Sequence, residues 1–171
     1  MSWVLSSAMV GCGGSKPAAT ASASTTSGPA TTTEAPGLKG QPTTIDKVVV
    51  GQCANDVPDP NQRLNAVLLI GCEQPHTYEV YDQFRYPAGG SPMPAGTPYP
   101  GETTVRKASE AQCYAQFEAW MGSAWTESNF DIQTWWPSKS SWTGLNDRKV
   151  TCGGYLLSGR KSTGSARGTK G

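Results

Sequence analysis

The residues best equipped for chemistry gather in one stretch, Gly71-Cys72-Glu73-Gln74-Pro75-His76-Thr77-Tyr78-Glu79. His76 is the only histidine of the chain, and beside Glu73 or Glu79 it could act as a general base or a pH sensor. A histidine after a proline at the start of a strand serves as readily as a structural donor to a backbone carbonyl, and that reading is preferred. A lone histidine excludes two-histidine metal sites and weakens any hydrolytic triad. Cys72-x-x-x-His76 could open a zinc site, but no Cys-x-x-Cys pair accompanies it. No metal and no cofactor is therefore expected. Asp147-Arg148 could present a guanidinium to an anionic ligand, although an internal salt bridge to Glu73 or Glu79 is the preferred role. Trp135, Trp136 and Trp142 surround Pro137 and suit a sugar-stacking or peptide-docking surface as well as they suit a core. No catalytic residue is assigned. The candidates for structure or binding are His76, Glu79, Trp142, Asp147 and Arg148.

Elements must position these groups. From His76 one parity reads His76, Tyr78, Val80, Asp82, Phe84, Tyr86, against Thr77, Glu79, Tyr81, Gln83, Arg85, the period-two signature of a half-buried strand. Lys47 to Cys53 predicts a first strand ending at a turn, and Ala54 to Asn61 carries loop chemistry. The continuous apolar run Leu64–Ile70 predicts a central strand buried on both faces. Pro87 to Gly101 is a Pro/Gly-rich loop, long enough for its size to imply function or mobility. A helix follows, capped by Thr103 or Thr104 and ended by Gly122. Val105, Ser109, Cys113, Phe117 and Trp120 share one face of it. Phe130 to Trp136 alternates as a further strand stopped by Pro137, and Asp147 to Leu157 gives the last. The fold class is α+β: a small antiparallel sheet of four or five strands with one main helix packed on a face.

The 171-residue chain has a net charge of +1, which excludes a strongly basic nucleic-acid binder. Between Asp46 and Leu157 twelve acids outnumber eight bases, so the body is mildly acidic. Residues 1–12 form a short apolar run ending in Met9-Val10-Gly11-Cys12, far too short to span a bilayer. It reads as a signal remnant and resembles the lipobox of bacterial lipoproteins, with Cys12 as the lipidated, palmitate-bearing residue. Residues 13–45 are rich in Ala, Thr, Ser and Pro, with Leu38 as the sole large apolar residue before Ile45. Such a segment cannot bury enough surface to offset chain entropy, and a disordered linker is expected. The folded domain is placed at 46–157. Residues 158–171 hold Arg160, Lys161, Arg167 and Lys170 among Gly and Ser, which predicts a basic, disordered tail.

Apart from Cys12, four cysteines remain. In an exported domain an even number is most simply two disulfides. Three connectivities exist. The favoured one joins Cys53 to Cys72, at the ends of consecutive elements, and Cys113 to Cys152, pinning the helix to the last strand.

Several blocks then occur in a telling order: Val50-Gly51-Gln52-Cys53, Cys72-Glu73-Gln74-Pro75-His76-Thr77-Tyr78-Glu79-Val80, Tyr99-Pro100-Gly101-Glu102, Cys113-Tyr114-Ala115-Gln116-Phe117 and Asp147-Arg148-Lys149-Val150-Thr151-Cys152. Together with Pro137 and Trp142 they resemble the actinobacterial septum-formation domain over Val48 to about Leu157. Gly144 stands farther from Asp147-Arg148 than the usual pattern of that family. The resemblance implies a small extracytoplasmic module associated with cell division and no known reaction. The expected protein is a lipoprotein of the outer face of the cell membrane. Its partners would be the membrane, through the lipid, and an envelope protein or wall ligand, not nucleic acid. The alternative is an envelope enzyme acting on wall material with His76 and a carboxylate at its site.

Overall fold

The computed structural model describes residues 40–59, 61 and 65–171. The run 1–12 with Cys12, and the linker as far as residue 39, lie outside them. Six strands, β1 (Gln41–Thr44), β2 (Cys53–Asp56), β3 (Ala66–Ile70), β4 (Tyr78–Arg85), β5 (Phe130–Trp135) and β6 (Lys149–Leu156), make one sheet. Their order is β1-β3-β2-β4-β6-β5, and every pairing is antiparallel. The main helix, α1 (Glu102–Met121), lies across one face, and a short helix, α2 (Lys139–Leu145), precedes β6. The α+β class and the single main helix agree with the sequence reading, with more strands than it counted.

The extra strands come from segments whose composition hides them. β1 belongs to the stretch read as linker, and it pairs Gln41–Thr44 with Leu69–Ala66. It is polar, short and contains Pro42, all features tolerated at a sheet edge. The strand expected at Lys47–Cys53 begins instead at Cys53. Ile45–Lys47 is one turn of 3-10 helix, Val48 is buried, and Gly51 turns the chain with φ 87°. β2 takes in Asn55 and Asp56, which read as loop residues. Both are held from the start of β4: the Thr77 N–H and hydroxyl donate to Asn55 Oδ1 at 3.1 and 3.2 Å, and the Tyr78 hydroxyl donates to Asp56 Oδ1 at 3.0 Å.

β4 carries an irregularity between Val80 and Asp82. An extra residue there shifts which parity faces the helix. Tyr81, Phe84 and Tyr86 therefore share the α1-side core with Cys113, Phe117, Trp120, Val150 and Cys152. Val80 joins Val48, Ala54, Val67 and Trp135 on the opposite face. Each face of the sheet thus carries a buried cluster.

The face of α1 expected to pack does so: Val105, Ser109, Cys113, Phe117 and Trp120 are all buried. Its start is Gly101, with no side-chain cap, rather than a threonine. Gly122 ends it in the left-handed region, its N–H donating to Glu118 O. Both favoured disulfides are present, Cys53–Cys72 and Cys113–Cys152, with Cα separations of 5.1 and 5.6 Å.

Gly153 and Gly154 let two tryptophans lie against β6 from its two sides. A Cβ on Gly153 would sit 2.8 Å from the Trp135 ring, and one on Gly154 would overlap the Trp120 ring. Gly154→Ala is expected to cost about 1–3 kcal/mol by overpacking, read as a lowered Tm. Gly144→Ala, whose Cβ meets nothing, should hold or raise Tm through helix propensity. Equal melting of the two variants would contradict this packing.

The segment 158–171, expected to be a disordered tail, is packed. Ser162 forms a bridge with His76, Ala166 is buried, and the Gly168 and Lys170 N–H groups donate to Trp120 O and Met121 O at 2.9 Å each. These last bonds satisfy carbonyls that the end of α1 leaves open. The four basic side chains stay in solvent, which is why composition alone suggested a frayed end.

Candidate functional site

Pro75 fixes the corner that feeds β4, and His76 turns inward there, fully buried. Its Nδ1 lies 2.8 Å from Gln74 O. A carbonyl only accepts, so Nδ1 carries the proton and donates. Nε2 is buried without a partner among the described residues. Glu79 is buried as well, and its carboxylate accepts from Trp120 Nε1 (3.2 Å), Ser165 Oγ (2.7 Å) and Ala166 N (2.6 Å). No hydrogen bond or ion pair joins His76 to Glu73 or Glu79 among the described residues. Cys72 is committed to its disulfide. The corner thus buries His76 and Glu79 on separate partners, while Glu73 and Gln74 stay in solvent.

The salt bridge expected between Arg148 and Glu73 or Glu79 does not form. Arg148 is 1% exposed, and its guanidinium carbon lies 3.5 Å over the Trp142 ring. Nη1 donates to Trp142 O at 3.1 Å and to Asp147 O at 2.7 Å. Burial, then the nearby Arg85, lowers its pKa, though an arginine remains charged at any working pH. Asp147 accepts from Ser141 Oγ and from Lys149 N, each at 2.9 Å. Asp147 and Arg148 therefore lock α2 onto β6.

α2 itself escaped the sequence reading, because Trp142 is its only buried side chain. Its signals are Ser138 and Ser141, which form a reciprocal capping box, and Asn146, which ends it in the left-handed region at φ 51°. Trp142 is core: Tyr86 and Tyr99 meet its ring edge-on at 5.7 and 5.5 Å. Its Nε1–H donates to Thr97 O at 2.7 Å. The Pro87–Gly101 loop is consequently fastened down, with Met93 and Tyr99 packed on the core and the Tyr99 hydroxyl donating to Pro137 O at 3.3 Å.

The end of that loop, β5 and the start of α2 enclose a cleft of about 340 Å³. Tyr99, Glu102, Thr134, Trp136 and Lys139 are among its walls. A second concavity of about 360 Å³ runs between α1 and β5, past Glu110, Tyr114 and Gln133, and shares Thr134 and Trp136 with the first. Successive residues of a strand point to opposite faces, so Trp135 enters the core while Trp136 stands half-exposed in both concavities. The Thr134 hydroxyl is buried and has no partner among the described residues.

β5 is an edge strand, and its outer rim is closed by its own neighbourhood. Phe130 N–H donates to Ser128 Oγ (3.0 Å), Ile132 N–H to Asp131 Oδ1 (2.7 Å), and Gln133 Nε2 to Thr134 O (3.1 Å). The Tyr114 hydroxyl reaches from α1 to Asp131 Oδ1 at 3.0 Å. Burial first, then that bond to Asp131, pushes its pKa up to about 12, so it stays a donor at neutral pH. Such self-capping blocks addition of a further strand and leaves recognition to side chains. Of the cleft residues the sequence singled out the tryptophans and, as one block of the family resemblance, Tyr99 and Glu102; Thr134 and Lys139 come from β5 and α2 and carried no binding signal.

Comparisons with curated proteins and with solved structures find no match. A family model described as Septum formation matches residues 50–170, a span that takes in both disulfides, the His76 corner, the Trp136 cleft and almost all of the C-terminal segment. The chain belongs to the septum-formation family.

Proposed function

We propose that this protein is a lipoprotein of the extracytoplasmic face of the cell membrane, held by lipid on Cys12, whose domain captures a partner or ligand during septum formation without catalysing a reaction. The family links the domain to septum formation, and its paired cysteines suit an oxidising compartment. The apolar run before Cys12 supports the anchor, since acyl chains add about 0.8 kcal/mol of membrane binding per buried CH₂. The observation that carries the binding role is the Trp136 cleft, a concave surface with a half-exposed indole and a hydroxyl unpartnered among the described residues, on a disulfide-stapled frame. No reaction is assigned because His76, the residue an envelope enzyme would use, is sealed in the interior.

Metabolic labelling with an alkyne fatty acid tests the anchor. The label should be lost in Cys12→Ser, and a mature chain that keeps Met1 would sink the lipoprotein reading. A photo-crosslinking residue at position 140 should capture an envelope component in cells that one at position 118 does not. His76→Gln should lower stability by about 0.5–1.5 kcal/mol, the worth of one hydrogen bond, and leave that capture intact. Loss of capture with unchanged melting would return His76 to the site.

A further inference from the structure

The geometry points to Trp136 as the stacking platform for a sugar ring, so that the occupant of the cleft is a glycan of uncharged pyranose units; this rests on the binding role proposed above. The other described tryptophans are all engaged. Trp120 stacks on Tyr81 at 4.8 Å and bonds Glu79. Trp125 lies 4.8 Å from Tyr114, Trp135 meets Tyr78 edge-on at 5.2 Å, and Trp142 is wedged between Tyr86 and Tyr99. Trp136 rests on the edge of the α1-side core, yet among the described tryptophans it alone has neither a ring partner nor an acceptor for its indole N–H, and it stands half-exposed where the two concavities meet.

The polar groups around it are of mixed kind. Ser138, Ser140 and Asn65 line the first concavity and Gln133 the second, with Thr134 shared. A pyranose has an apolar C–H face that suits an indole and a rim of hydroxyls, each both donor and acceptor. Serine, threonine, asparagine and glutamine side chains answer both needs. The unpartnered Thr134 hydroxyl gains a partner only when such a rim reaches it. An extended peptide would bring backbone groups in search of a ladder, and the rim of β5 is closed to them by Ser128, Asp131 and Gln133. A polyanion would find no cluster of cations, since Lys139 faces Glu102 across the first concavity and Arg106 is already paired with Glu110 at 3.0 Å. The site therefore favours a sugar over either.

The test is isothermal titration of the full chain, in detergent, with a tetramer of β-1,4-linked N-acetylglucosamine and with a mannose tetramer. Saturable binding of at least one is expected, weakened about tenfold or more in Trp136→Leu, which keeps apolar volume but removes the stacking face. Trp125→Leu, which lines neither concavity, should bind as the parent does. Retention on protein-free wall glycan or on envelope glycopeptides then separates the two sources of such sugars. Equal binding by parent and Trp136→Leu overturns the proposal. If neither tetramer binds, yet crosslinking from position 140 still depends on Trp136, the sugar falls and the cleft stands. If crosslinking is also indifferent to Trp136, both fall.

Discussion

Glu79→Ala should cost about 3 kcal/mol or more, a large share of the 5–15 kcal/mol that holds a domain of this size together. Two buried donors, Trp120 Nε1–H and the Ala166 N–H, and the hydroxyl of the exposed Ser165 share that one carboxylate. Removing it strands the two buried ones, each at about 1–3 kcal/mol for an unsatisfied buried donor, and takes a charge-assisted bond from Ser165. Two of the three belong to the C-terminal segment. Truncation after Leu157 should therefore be nearly as damaging, since it also uncovers the carbonyls of Trp120 and Met121 at the end of α1. The two changes should not add. In the truncated chain Glu79→Ala should cost well under half of what it costs in the full chain, because most of what it breaks is already gone. Urea melts of the four proteins measure the coupling. Full additivity would show that the segment rests on the domain without being held by Glu79.

That carboxylate also marks where the sequence stopped being legible. Glu79 sits on the parity of β4 that reads as polar, with Thr77, Gln83 and Arg85, and nothing in the pattern announces a bulge two residues later. Its donors lie in a segment whose only buried side chain is Ala166. Hydrophobic periodicity detects elements that pack through side chains. Residues 158–171 are held mainly by backbone hydrogen bonds and by one distant acid, so the two halves of the arrangement were missed together.

Where side chains do the packing, the reading was good. The α1 face from Val105 to Trp120 follows the helical period, and the cysteines at positions 113 and 152 fall on the buried faces of α1 and β6. β5 ends where Pro137 forbids continuation. The cleft lies between these regimes. Trp136 is visible as the second of two adjacent tryptophans, which a strand must turn to opposite faces. Its neighbours Glu102, Lys139 and Asn65 are ordinary surface residues until the fold brings them together. Arg148 is the opposite case. A cation beside an acid suggested an ion pair, but the guanidinium found an indole face and two carbonyls instead, partners that no charge pattern encodes.

The second large effect concerns the disulfides, which differ in both worth and access. Cys113–Cys152 closes a separation of 39 residues and Cys53–Cys72 one of 19. Loop entropy assigns them about 4 and about 3 kcal/mol respectively. Cys113 and Cys152 are 0% exposed and tie α1 to β6, an interior strand of the sheet; the Cys113 carbonyl also accepts the buried Tyr81 hydroxyl at 2.8 Å. Cys72 is half-exposed at the corner. Replacing Cys113 and Cys152 by alanine should thus cost the loop entropy plus a cavity and leave little net stability. The Cys53/Cys72 double alanine variant should remain folded at 25 °C with a lowered urea midpoint. Access gives the same order by a different route. A mild thiol reductant applied to native protein should open Cys53–Cys72 first, because thiolate attack needs a sulfur that solvent can reach. Alkylation followed by peptide mapping reads the order directly. Capture of Cys113 and Cys152 at the rate of Cys72 would mean that α1 lifts from the sheet far more often than its buried face implies.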